Sequence, residues 1–182
     1  MPRGARATSR ATVRAGAGCL VLAAVAACSS PEKFAPACPT VAILADAGDL
    51  TRYNGRGQDL TDLVLDGRIT GVSGKCQAGD EGILDTTISI SLEITRGPAA
   101  QGRTSELAYF VAVTRNNAIL NKKVYPLRAD FPANTDRLRL ASDEVQLLLP
   151  IPKGLSGAAY TVLVGFQLDQ AELDLNRRRG PR

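Results

Sequence analysis

Residues 88 to 95 alternate without interruption: Ile88, Ile90, Leu92 and Ile94 are apolar, while Ser89, Ser91, Glu93 and Thr95 are polar. A period of two puts all four apolar side chains on one face of an extended strand. This stretch therefore demands a half-buried β-sheet, and the rest of the chain has to supply its partners. Thr40 to Ala45 is a short apolar run, and residues 46 to 62, rich in Asp, Asn and Gly, read as a turn-rich connection. Leu63, Leu65 and Ile69 give a second strand that ends at a predicted turn, Gly71-Val72-Ser73-Gly74. Gly97-Pro98 and Gly102 mark a loop. Leu107 to Val113 is apolar on both faces and predicts a central strand. Asn116-Asn117 supplies a hairpin turn, because asparagine tolerates positive φ. Ala118 to Tyr125 then returns, with Pro126 and Pro132 marking its far end as an edge or a loop.

Leu138 and Leu140, then Val145, Leu147 and Leu149, form one bent strand or two short ones, stopped by Pro150-Ile151-Pro152. Tyr160, Val162, Val164, Phe166 and Leu168 make the last strand, with Gly165 facing a close neighbour. Asp169-Gln170-Ala171-Glu172 has capping-box spacing and predicts a terminal helical turn or two. Seven to eight short strands with hardly any helical periodicity predict an all-β fold, an antiparallel sandwich over residues 40 to 176. The pattern is similar to immunoglobulin and fibronectin type III domains. It departs from them in having no tryptophan and no cysteine pair expected to bridge the two sheets. An immunoglobulin-like resemblance at fold level carries no site across.

Ahead of this body, Arg3, Arg6, Arg10 and Arg14 precede an apolar run, Leu20 to Ala27, flanked by Cys19 and Cys28. The run has the length of a signal-peptide core and is short of the about 20 apolar residues that span a bilayer. Its end, Val25-Ala26-Ala27-Cys28, resembles the lipobox of bacterial lipoprotein precursors. That resemblance implies a signal peptide over residues 1 to 27 and cleavage between Ala27 and Cys28. It also implies diacylglyceryl (palmitate-type) modification of the Cys28 thiol and acylation of its new amine. One acyl chain binds a membrane only marginally, whereas several anchor it stably. Ser29, where inner-membrane lipoproteins of many Gram-negative bacteria carry aspartate, implies the periplasmic face of the outer membrane. The inner membrane and plain secretion into the periplasm, with Cys28 an ordinary thiol, are the alternative readings. Residues 28 to 39, with Pro31, Pro36 and Pro39, read as a semi-rigid tether.

On the same reading Cys19 leaves with the signal and Cys28 is acylated, so Cys38 and Cys76 remain. In an oxidising periplasm two leftover thiols suggest a disulfide; a buried reduced pair is the other possibility. If the strand at Thr40 to Ala45 pairs antiparallel with the one at Leu63, both cysteines fall at one end of that pair. The net charge of +4 belongs to the four signal arginines: 22 − 4 leaves 18 basic residues against 18 acidic. A neutral body gives no reason to expect a nucleic-acid partner.

The chain has no histidine, which removes the usual general base, the commonest metal ligand and both Ser/His and Cys/His nucleophile pairs. Ser30-Pro31-Glu32-Lys33 matches S-x-x-K by chance, in a proline-rich tether with no K-T-G to follow. Gly71 to Gly74 and Gly154 to Gly157 each fall one residue short of G-x-S-x-G and lead into no helix. Asp46, Asp49, Asp59, Asp62, Asp66, Asp80, Glu81 and Asp85 crowd residues 40 to 86. They leave open an envelope-polymer hydrolase or accessory subunit, or a Ca2+ or small-ligand domain, though no EF-hand spacing appears. Arg177, Arg178, Arg179 and Arg182 read as a frayed basic tail over residues 177 to 182, with contact to anionic headgroups as the functional alternative. The expectation is a non-enzymatic scaffold or binding module, anchored to membrane through Cys28 and engaging an envelope protein by strand addition. No catalytic residue, cofactor or resident metal is assigned.

Overall fold

The computed structural model describes residues 36 to 55 and 57 to 180. The expected signal peptide, Ala27, Cys28, most of the tether and Arg182 lie outside them. Among the described residues nine strands form two sheets, and one α-helix follows the last strand: the fold is an all-β sandwich. The first sheet runs in the order β1 (Thr40–Ile43), β9 (Thr161–Phe166), β5 (Thr104–Arg115), β6 (Ala118–Asp130). The second has the order β2 (Asp49–Tyr53), β3 (Leu63–Ala78), β4 (Ile83–Arg96), and β4 carries β7 (Arg137–Ala141) and β8 (Val145–Pro150) on its far side. The core lies between the sheets. The alternating residues of β4, Ile88, Ile90, Leu92 and Ile94, meet Val162, Val164 and Phe166 there, and each is at most 1% exposed. Burying side chains of this size stabilises by about 1.5–3 kcal/mol apiece.

Several expectations need correcting. β1 does not pair with the strand at Leu63; it runs parallel to β9, Thr40 beside Thr161 and Ile43 beside Val164. The reason is β2, which forms inside what reads as a turn-rich connection. Leu50, fully buried, pulls Asp49–Tyr53 onto the edge of β3, so β1 is left to the other sheet. The stretch Gly71-Val72-Ser73-Gly74 is not a turn either. β3 carries straight through it with a bulge between Ile69 and Gly71, and at Gly74 a Cβ would approach the Thr87 carbonyl oxygen closely, at 3.1 Å.

The Cys38–Cys76 disulfide is present, with the Cα atoms 5.8 Å apart. Because Cys38 leads into β1 and Cys76 lies in β3, it ties the two sheets together, contrary to the expectation that no cysteine pair would do so. The remaining elements follow the sequence. Asn116 and Asn117 turn the β5–β6 hairpin at φ 50° and 62°, and β6, with Pro126 in it, is an edge strand. The 138 to 149 region is two short strands, interrupted where the Ser142 hydroxyl accepts from the Ile90 amide at 3.0 Å. Gly165 has no room for a side chain: a Cβ would lie 2.7 Å from that of Ala47.

Helix α1 spans Gln170–Arg179 and opens on the predicted capping box. Asp169 accepts from the Glu172 amide at 2.8 Å, and Glu172 accepts from the Asp169 amide at 2.9 Å. Arg177, Arg178 and Arg179 are its last turn rather than a frayed tail, placed where cations favour the helix dipole.

Candidate functional site

The acidic residues singled out in the sequence are spread over β2, β3, β4 and the turns between them. Asp49 accepts from Arg68 at 2.9 Å, and Asp66 accepts from the Thr51 hydroxyl at 3.2 Å. Asp46 pairs with Arg177 at 3.2 Å, and Asp85 accepts from the Gln146 amide at 3.0 Å. Asp80 and Glu81 are exposed in a single helical turn. Among the described residues no three His, Cys, Asp or Glu side chains gather as a metal site. The two glycine-serine stretches are placed apart as well, one within β3 and the other in the loop between β8 and β9.

The arginines of α1 are brought onto β2. Arg179 donates to the Thr51 hydroxyl at 3.2 Å and to the Tyr53 hydroxyl at 2.6 Å. Asn176, buried beside them, donates to the Asp46 and Asp49 carbonyls at 2.9 and 2.7 Å. Glu172 holds Arg52 at 3.0 Å. This flank is a hydrogen-bonded seam, with only a small cleft of about 180 Å3 left beside Arg52 and Glu172.

The opposite flank is open. A cavity of about 640 Å3 runs between the inward face of β5–β6 and β8, within the range of ordinary ligand sites. Val111, Val113, Leu147, Leu149 and Tyr160 give it an apolar floor. It exists because of what β6 places on its inward face. The residues opposite Val113 and Val111 are Asn121 and Lys123, which cannot be buried against the second sheet without leaving a polar amide and a charge unpaired. The sheets therefore part where the alternation of β6 fails. Leu148 on β8 and Leu120 on β6, both lining the cavity, are left 62% and 49% exposed.

Two cations line this cleft. The Arg115 guanidinium lies 5.6 Å from the centre of the Tyr160 ring, and the Lys123 ammonium 5.1 Å from that of Tyr125. Both are cation–π distances. Tyr160 is itself fixed by donating its hydroxyl to the Pro150 carbonyl at 2.6 Å. Tyr125 stacks on Tyr109 with ring centres 5.2 Å apart. Burial raises the hydroxyl pKa of both stacked tyrosines, so they stay neutral donors and acceptors at ordinary pH. The cleft can bind; its described lining has neither a carboxylate nor a cysteine.

The sequence reading found every strand around this cleft and missed the cleft itself. The signal was present in Asn121-Lys122-Lys123, consecutive polar residues that put charge on both faces of one strand. Among the described residues no helix is long and apolar enough to cross a membrane. No protein family, curated protein or solved structure matches the chain.

Proposed function

We propose that this chain is a lipid-anchored, non-enzymatic binding module of a bacterial cell envelope, with an immunoglobulin-like sandwich. On this reading Cys28 carries the lipid, the domain stands at the periplasmic face of the outer membrane, and the β6–β8 cleft receives an extended segment of an envelope protein. The observation that carries the binding role is the open flank: two sheet edges, β6 and β8, bordering one apolar cleft with two cations. Exposed edges of this kind accept strands from partners, main-chain bonds giving affinity and side-chain pockets giving specificity. The Cys38–Cys76 bond agrees with an exported protein, since structural disulfides persist in oxidising compartments.

Growth with a clickable palmitate analogue tests the anchor. The chain is expected to incorporate label and fractionate with membranes, and Cys28→Ser to lose label and become soluble. Undiminished labelling of Cys28→Ser would remove the anchor from the proposal.

A further inference from the structure

We propose that the segment received by the cleft is acidic, with two carboxylates four residues apart and an apolar residue midway between them, and that its backbone pairs with β8. This rests on the reading of the cleft as a strand-binding site and adds the chemistry of the occupant.

The first ground is charge. Among the described residues, every strand-borne cation outside the β5–β6 hairpin has a carboxylate within 3.7 Å: Arg52, Arg68, Lys75, Arg96, Arg137 and Arg139; within the hairpin Arg128 pairs with Asp130 at 3.0 Å. Arg115, Lys122 and Lys123 have no such pair and lie over aromatic rings instead, Lys122 over Phe110 away from the cleft and the other two at the cleft. Ring contact holds each cation at the cleft and leaves its donors unspent. Two cations without a carboxylate partner along a single cleft are complementary to an anionic occupant.

The second ground is spacing. Lys123 lies opposite Val111, and Arg115 is four residues further along β5, or about 13 Å at 3.3 Å per residue. An extended peptide presents residues i and i+4 on one face at that same interval, with residue i+2 between them. Carboxylates at i and i+4 then meet the two cations while the side chain at i+2 lies on the floor beside Val113 and Leu149. An amphiphile with one anionic head meets only one of the two.

The third ground decides which edge is used. β6 carries Lys122, Lys123 and Pro126, the residue types that blunt an edge against strand pairing. β8 from Val145 to Leu149 has no charge and no proline, and it pairs only with β4. Backbone pairing belongs to β8, and ionic selection to the β5–β6 hairpin.

The test is fluorescence anisotropy on the full chain as purified from cells, with the fluorescein-labelled peptide TETVTET as probe. Saturable binding is expected, weakened about tenfold or more by Arg115→Glu or by Lys123→Glu and unchanged by Arg178→Glu on the opposite flank. The double variant Arg115→Glu, Lys123→Glu is expected to prefer the lysine peptide TKTVTKT. Thermal melts of each variant separate lost binding from lost folding. Any of three results overturns the proposal: no binding of TETVTET at about 1 mM; equal binding of TTETETT, with its carboxylates two apart; or displacement of the peptide by laurate at lower concentration than by unlabelled peptide. The last would make the occupant an amphiphile. Failure here leaves the anchor at Cys28 standing, and failure of palmitate labelling leaves the peptide result standing.

Discussion

The two flanks of this sandwich are built from the same kinds of strand and end differently. On the α1 side, the edge strand β2 is covered by a helix that spends its polar groups on it. Asn176 takes up two carbonyls, Glu172 an arginine, and Arg179 two hydroxyls. On the β6 side nothing among the described residues covers the edge, and the cleft cations Arg115 and Lys123 have no acidic partner there. A free sheet edge exposes unpaired backbone groups whichever side it is on. One flank solves this inside the chain; the other leaves its chemistry available to a second molecule.

The largest expected effect belongs to the bond between the two sheets, whose Cys76 end packs beside the cleft floor. Removing the Cys38–Cys76 bond, which encloses a separation of 38 residues, is expected to cost about 4 kcal/mol in the chain-entropy picture. Chemical denaturation of the Cys38→Ser, Cys76→Ser double variant reads it directly. A loss below about 1 kcal/mol would mean that the sheets are held by their core alone. Next in size, Asn176→Ala strands the Asp46 and Asp49 carbonyls under the helix and is expected to cost about 1–3 kcal/mol. Faster amide exchange should be confined to α1 and β2. The smallest effect belongs to the open side. Lys123→Glu should change stability by no more than about 0.5 kcal/mol, as an exposed charge with no carboxylate partner to lose. A larger destabilisation would show that Lys123 supports the fold.

Where a single physical rule acts, the sequence is legible. The two-residue period marks β4, the apolar run marks β5 as internal, the Asn pair marks a hairpin, and Asp169 with Glu172 marks the start of α1. β2 was hidden because only Leu50 among its residues goes into the core, too little for periodicity to register against Asp, Arg and Gly neighbours. The parallel placement of β1 was hidden because it depends on which strand takes the edge of β3 first, a competition between distant segments. The cleft was hidden because a strand read alone does not say which of its faces must meet another sheet. Asn121 and Lys123 look like ordinary exposed residues until the register sets them opposite Val113 and Val111.

The sulfur bridge at Cys38 also has a mechanical consequence. It lies just ahead of β1, a strand of four residues at the rim of its sheet. Any tension applied to the chain upstream of residue 38 passes through a covalent link into β3, one of the longest strands, before it reaches the weak ladder between β1 and β9. The domain can therefore be tugged from its amino end without being unzipped from there.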